Sequence, residues 1–408
     1  MADMRFDVTV IGGGILGLAT AMRLTADYPD YRIAVVEKER EVAAHQTGHN
    51  SGVIHSGLYY RPGSQKATFC VSGAQALRAF CDDHEIAYDL VGKVVVATSE
   101  DDLPALENLH QRGLANGVEG IEMIGPERLR EIEPHASGIR ALHCPRTGIV
   151  DYREVSRAYA TEMQQQGGEL LTDTRVRRIA RSDGLMHLET TRGDIATKYL
   201  INCAGLYADA VVRAMGLRSS VRIIPFRGEY FTLVPEKRYL VNGLIYPVPD
   251  PRFPFLGVHY TRMIHGGVEA GPNAVFAFAR EGYTRGKVNL PELLGTVAYR
   301  GFWSMSRKYW KTGVREMYRS LSKGAFTRSL QRLLPEIRDT DLAPGGAGVR
   351  AQAVDRTGFL LDDFSIVETE NAIHVQNAPS PAATSSLGIG EHIAGLAGKA
   401  FDLVGRSG

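Results

Sequence analysis

Cysteine is scarce in these 408 residues, with four in all, at Cys70, Cys81, Cys144 and Cys203. Their spacings match no metal-ligand pair, and they are too few for a disulfide framework. Reduced thiols and a cytoplasmic protein are therefore expected. Charge imbalance is also lacking. The 47 Lys and Arg against 46 Asp and Glu leave a net +1, which argues against nucleic acid as a partner. No apolar run is long enough to cross a bilayer, since the uncharged stretch from Val8 to Met22 is short and rich in glycine. Met1 to Arg5 leads straight into the first expected strand, so no signal peptide is expected. No internal repeat or low-complexity tract stands out. The remainder, 44% hydrophobic and 23% charged, suits a globular enzyme of two domains or of one domain with an inserted lobe.

The most informative stretch comes first. Val8, Val10 and Ile11 read as a parallel strand covered on both faces, and Gly12, Gly14 and Gly17 then match G-x-G-x-x-G. The first glycine permits a tight turn, the second lets a pyrophosphate reach the backbone, and the third lets helix and strand pack closely. A helix opening at Ile15 and Leu16 presents free N–H groups and a positive dipole end to that pyrophosphate, and should stop before Pro29. A second strand, Arg32 to Val36, ends in Glu37 and Lys38. Glu37 is twenty residues past Gly17, where an acid can accept hydrogen bonds from a ribose. These features together predict a dinucleotide site.

A second run follows from His45 to Tyr60. Thr47, His49, Asn50, Ser51 and Gly52 let the backbone approach an extended ligand and donate to its phosphates. A nicotinamide dehydrogenase has no obvious use for this run, whereas FAD continues past the pyrophosphate across such a region. Periodicity predicts helices at 67–84, 102–113, 126–132, 152–166 and 387–403. Strands are expected at 93–98, 174–180, 185–190, 198–204, 222–234 and 243–257, with a hairpin at 364–368 and 372–377. The segment 300–332 holds nine basic residues and one acid, Glu316, interleaved with Phe302, Trp303, Tyr309, Trp310, Tyr318 and Phe326. It reads either as a helical cap over a pocket or as a helix lying on an anionic membrane surface.

HNSGVIHSGLYY at 49–60, behind the dinucleotide motif, resembles the L-2-hydroxyglutarate oxidase/dehydrogenase branch of the D-amino-acid-oxidase-like flavoproteins. NCAGLYAD at 202–209, PFRGEYF at 225–231, PFLGVHYTR at 254–262, EAGPNAV at 269–275, GVRAQ at 348–352 and SPAATSSL at 380–387 carry the resemblance through the chain. One departure is His265, where the family usually has an acid.

The resemblance implies an α/β fold, an FAD-binding Rossmann-like domain with an α+β substrate/cap domain built from insertions. The FAD domain is assigned to 1–87, 148–219 and 343–408, and the substrate domain to 88–147 and 220–342. The resemblance also implies FAD; a covalent flavin bond through Cys or His is possible in this superfamily, but nothing in the sequence marks a residue for it, so non-covalent FAD is expected. The Val176 backbone would lie against the adenine, with Ala204, Gly205 and Gly348 near the cofactor. The helix start at Ser385, Ser386 and Leu387 would face the flavin N1/C2 edge, where its dipole favours the reduced ring.

The implied reaction is oxidation of L-2-hydroxyglutarate to 2-oxoglutarate, with hydride passing from C2 to flavin N5. It requires a base, for which His55 and His259 are the candidates, each of which could equally support the flavin or the core. It also requires cationic clamps for two carboxylates. Arg262 and Arg350 are the first choices, Arg227 and Arg280 follow, and the Tyr60 phenol could donate. Each arginine could instead serve an ion pair. Expected partners are a dicarboxylate hydroxy acid, quinone or oxygen as final acceptor, and the inner face of a membrane as a peripheral contact. No metal is expected. Competing readings are an amino-acid or amine oxidase, a glycerol-3-phosphate dehydrogenase, or a flavin-carrying scaffold.

Overall fold

The strand Met4–Ile11 sets the frame, because Phe6, Val8, Val10 and Ile11 are all buried and both of its faces need a cover. In the computed structural model, which describes residues 4–249 and 256–405, it runs parallel between Ile33–Val36 and Ile195–Asn202. The sheet continues to Glu169–Leu171 on one side and through Leu185–Thr190 to Val176–Ser182 on the other. Ala372–Asn377 joins it parallel to Ile195–Asn202 and carries Ser365–Thr369 as a hairpin partner. The helices Ile15–Asp27, Tyr152–Gln165 and Ser386–Ala400 cover one face, sealing a core that includes Leu18, Leu24, Tyr159 and Ile393.

A second sheet of nine strands holds the inserted segments. Its order is Val275–Phe276, Val221–Leu233, Gly267–Gly271, His259–Met263, Leu244–Pro247, Lys93–Ala97, Arg140–Cys144 and Glu122–Ile124. Leu342–Asp355 pairs antiparallel along nearly the whole of Val221–Leu233. The helix Lys323–Leu330 and the turn after it plug one face with Phe326, Leu330, Leu333 and Leu334.

Element types agree with the sequence pattern, and ends shift by a few residues. The long helices run Gln65–Asp83, Leu103–Ala115 and Tyr152–Gln165, and Pro126–Ile132 is unchanged. Two differences are larger. The strand expected over 243–257 is short, Leu244–Pro247, and Pro254 and Phe255 of the quoted block lie outside the described residues. The segment from 343, assigned to the FAD-binding domain, first runs as Leu342–Asp355 in the second sheet. The reason is hydrogen bonding, since Val221–Leu233 offers it a ladder thirteen residues long.

The basic and aromatic segment forms two helices, Arg300–Leu321 and Lys323–Leu330, broken at Ser322, whose hydroxyl caps the second by accepting from the Ala325 N–H. Among the described residues no helix is long and apolar enough to cross a membrane.

Candidate active site

The first turn has no room for anything but glycine at two positions. A Cβ at Gly12, whose φ is +114°, would lie 2.5 Å from the Cys203 carbonyl oxygen, and one at Gly17 would lie 2.0 Å from the Gly12 carbonyl oxygen. Helix Ile15–Asp27 therefore begins pressed against its own strand, and Gly14 caps it with no side chain of its own. The Glu37 carboxylate fixes the turn, accepting from Gly13 N–H at 2.7 Å and from Glu39 N–H at 2.9 Å. Thr47 Oγ1 accepts from Ile15 N–H at 3.1 Å.

A cavity of about 940 Å³ starts here, lined by Gly12, Gly14, Ile15, Leu16, Glu37 and Lys38, and continues past Thr47, His49, Asn50 and Ser51. Val176, Ala204, Gly205 and Gly348 also line it. This is a long trough with small residues where an extended ligand's backbone contacts fall, and it fits FAD: Cβ atoms at Gly12 and Gly17 would strike backbone and open the turn, and Gly14 leaves the helix N-terminus without a cap of its own, the Ile15 N–H being met by Thr47 Oγ1. Several expected contacts are already engaged by protein. The Lys38 ammonium sits among Glu39, Glu281 (2.7 Å) and His45 Nε2 (2.6 Å), at the point where these three groups converge. That ammonium is the main reason the Glu39 carboxyl falls to about 2. Asn50 spends its side chain on the Thr47 carbonyl and the Gly52 N–H, both at 2.8 Å. His49 stacks on Tyr283 at 4.3 Å, and burial lowers its pKa.

Three of the expected cofactor residues sit behind the trough. Ser385 and Ser386 are fully buried, and Ser386 Oγ lies 3.1 Å from the Tyr159 hydroxyl. Leu387 packs against the first core. Ser380 to Thr384, a turn earlier, make the wall instead. Gly17 and Gly52 likewise shape the wall without lining it.

At the far end the second sheet brings in His259, Tyr246, Tyr230 and Arg350. His259 Nδ1 donates to the Gly257 carbonyl at 2.8 Å, so the neutral ring carries its lone pair at Nε2. The ring stacks on Tyr246 at 3.9 Å, and burial pushes its pKa down to about 4. His55 directly follows the short strand Val53–Ile54, which pairs antiparallel with Gly148–Val150. Burial, then Lys93, His259 and Arg350, push its pKa to about 3. Its main-chain N–H donates to Thr384 Oγ1 at 3.1 Å, its Nε2 lies 3.3 Å from Ser380 Oγ, and its buried Nδ1 has no partner among the described residues. Ser380 is bonded in turn to the Tyr60 phenol. Tyr60 thus reaches the cavity through Ser380 and does not line it. Both imidazoles are neutral at working pH.

The arginine expectations need correction. Arg262 points away from the cavity, because side chains alternate along His259–Met263. His259 and Thr261 share the face that turns inward, while Tyr260 and Arg262 share the other, and Arg262 bonds the Asn242 carbonyl at 3.1 Å. Arg227 is buried and bound to Glu229 at 3.0 and 3.1 Å. Arg280 is buried in a bidentate pair with Asp209 at 2.5 and 3.0 Å. Neither lines the cavity, and a guanidinium so paired is not open to a substrate carboxylate. Arg350 does line it. Lys93, Tyr246, Tyr230, Ser380 and Thr384 were not singled out from the sequence. Lys93 alone left a signal, a cation opening the apolar run Val94 to Ala97.

Comparison with known proteins agrees with this architecture. The family model described as FAD dependent oxidoreductase matches residues 7–396. An L-2-hydroxyglutarate dehydrogenase from Indibacter alkaliphilus is 53% identical over 98% of this chain and 100% of its own length. The mitochondrial L-2-hydroxyglutarate dehydrogenase of Homo sapiens is 45% identical over 98% of this chain and 90% of its own. Among solved structures, an L-alpha-glycerophosphate oxidase from Mycoplasma pneumoniae with FAD bound superposes with a TM-score of 0.78 at 21% identity, covering 99% of this chain and 96% of that one. That likeness speaks for the fold alone. From motif, cradle and near full-length identity together, the chain belongs to the FAD dependent oxidoreductases, within the L-2-hydroxyglutarate dehydrogenase family.

Proposed function

We infer that the chain is an FAD-dependent enzyme that oxidises L-2-hydroxyglutarate to 2-oxoglutarate. The observation that carries this reading is the far end of the cavity, where two neutral imidazoles, His55 and His259, face a wall that includes Arg350 and open onto the dinucleotide trough. An alcohol carbon can be oxidised only if its hydroxyl proton and its C–H hydride both leave. Bound FAD supplies the two-electron acceptor. One of the two imidazoles takes the proton: His259 offers an unprotonated Nε2, and His55, whose Nε2 lies beside Ser380 Oγ, is the other candidate base. Arg350 binds a carboxylate. An amine oxidase would need an anion to hold its ammonium, and among the described groups no carboxylate acts on either histidine. Anaerobic mixing with the L and D enantiomers tests the reading. The flavin absorbance should bleach with L-2-hydroxyglutarate alone, and bleaching by glycine or sarcosine instead would overturn it.

The inner membrane face and a quinone acceptor belong to the same proposal. The helix Arg300–Leu321 exposes Trp303, Trp310, Val314, Met317 and Leu321 at spacings of three, four and seven, which is one stripe. Trp310 is 59% and Leu321 70% exposed, and Leu290 and Leu294 of the preceding helix extend the patch. Arg307, Lys308, Lys311 and Arg315 flank it. Such a face suits the boundary of an anionic bilayer better than a cap with solvated edges. Tyr309 of the same helix lines the cavity, so an acceptor drawn from the bilayer has a short way to the trough.

A further inference from the structure

Lys93 is a charged group beside the histidines that the chemistry above leaves unused. It opens the strand Lys93–Ala97, whose other members are core residues, and only 2% of it is exposed. Its ammonium lies 4.6 Å from the centroid of the Tyr59 ring and 5.5 Å from that of Tyr246. Among the described residues no carboxylate bears on it, and the groups that do are the thiols of Cys144 and Cys70. Tyr246 is the ring that stacks on His259 and lines the cavity, so Lys93 stands one layer behind the wall. The Tyr59 hydroxyl is buried in the same place with no partner among the described residues.

Two ring faces offset only part of what burying an ammonium costs. Left empty, the site resists the charge, and burial lowers the Lys93 pKa. An anion entering on the cavity side of the rings reverses this, because opposite charges at such separations in a medium of low dielectric attract strongly. A dicarboxylate brings two negative charges to a wall where no described carboxylate acts on either histidine, the buried acid Glu269 bearing on Tyr230 instead. We propose that Lys93 is the specificity-determining charge for the second carboxylate of a dicarboxylate substrate, acting from behind the Tyr59 and Tyr246 rings. This rests on the L-2-hydroxyglutarate reading. Lys93 does not touch the substrate, and its contribution is the field it sets there.

The test uses the FAD-loaded enzyme and two variants, Lys93→Met, close in length without the charge, and Lys93→Gln. FAD content should be unchanged in both. KM for L-2-hydroxyglutarate should rise on the order of 10- to 100-fold, the size of one charge–charge term across roughly 6–12 Å at an effective dielectric of about 20, with flavin reduction at saturation changed by less than about threefold. Lys93→Met should also melt at a higher temperature, because an unpaired buried charge has been replaced by an apolar chain. Glutarate, which should raise the melting temperature of the wild type, should no longer do so in Lys93→Met. An unchanged KM, a fall in kcat with KM intact, or loss of FAD with a lower melting temperature in both variants overturns the proposal. Should wild type fail to bleach with L-2-hydroxyglutarate while glutarate still stabilises it and not the variant, the substrate assignment falls and the role of Lys93 stands.

Discussion

Lowering the pH is the sharpest perturbation of the proton-accepting pair. Ordinary imidazoles titrate near pH 6.5, whereas burial places His259 at about 4 and His55 at about 3. The neutral form is the one that can take the hydroxyl proton. At pH 5.5 an ordinary histidine would be about 90% protonated, and one with a pKa of 4 only about 3%. The rate of flavin reduction should therefore stay nearly flat from pH 8 down to about 5 and fall only below that. Stability moves differently. A histidine whose folded pKa is depressed binds its proton more readily in the unfolded chain, so stability declines as pH drops below 6.5 and stops declining near the folded pKa. For His259 the difference of about 2.5 units corresponds to about 3 kcal/mol lost by pH 4. Stopped-flow anaerobic reduction with saturating L-2-hydroxyglutarate reads the first effect, and melting of the holoenzyme across pH 4–8 reads the second. One other group could imitate a histidine limb, since burial pushes the carboxyl of Glu269, across the ladder from Thr261, up to about 7. Glu269→Gln removes it. An acid limb near pH 6.5 that persists in Glu269→Gln refutes the neutral-imidazole reasoning.

Three further outcomes follow from named contacts. Gly17→Ala places a methyl about where the Gly12 carbonyl oxygen lies, and should give folded protein with little FAD, read from the visible-to-280 nm absorbance ratio; full occupancy would show that the turn can yield. Asp209→Ala strands the buried Arg280 guanidinium and should cost about 3–5 kcal/mol in denaturant unfolding. The same variant, measured where it is still folded, should keep KM, whereas a large KM change would return Arg280 to the list of substrate clamps. Trp310→Glu combined with Leu321→Glu should abolish sedimentation with anionic vesicles and leave reduction by L-2-hydroxyglutarate in solution unchanged; equal sedimentation of wild type and variant would make the exposed stripe irrelevant to membranes.

Much of the frame was legible because its determinants are local. A strand with Val8, Val10 and Ile11, a glycine at each of three fixed offsets and an acid after the second strand make one βαβ unit, and the reason for each residue lies within about thirty positions. The strand Leu342–Asp355 was harder to place. Its sequence is rich in glycine and alanine, so neither period nor β-branching marks it, and its ladder partner lies some 120 residues earlier. The break between the two basic helices was equally faint, since Ser322 marks it only through a cap that depends on the next turn already being formed.

The site divides along the same line. Histidines could be picked out because their chemistry is intrinsic to the residue, and both lie in the cavity wall. Arginines could not be sorted, because an arginine is a clamp or a strut according to which acid meets it in space. Arg280 finds Asp209 across 71 residues, and Arg227 finds Glu229 two positions on along the same strand, where alternation puts both on one face. Arg262 was excluded by parity: the run that places His259 inward must turn its third neighbour outward, and that could have been read from the sequence had the strand been phased on His259. Lys93 illustrates the converse. In a strand otherwise filled by Val94, Val95, Val96 and Ala97, a cation either faces water or is buried for a reason, and the structure buries it. On the proposal that Lys93 sets the field for a second carboxylate, this buried cation in an apolar strand points to the same end of the cavity as Arg350, which does line it beside its motif.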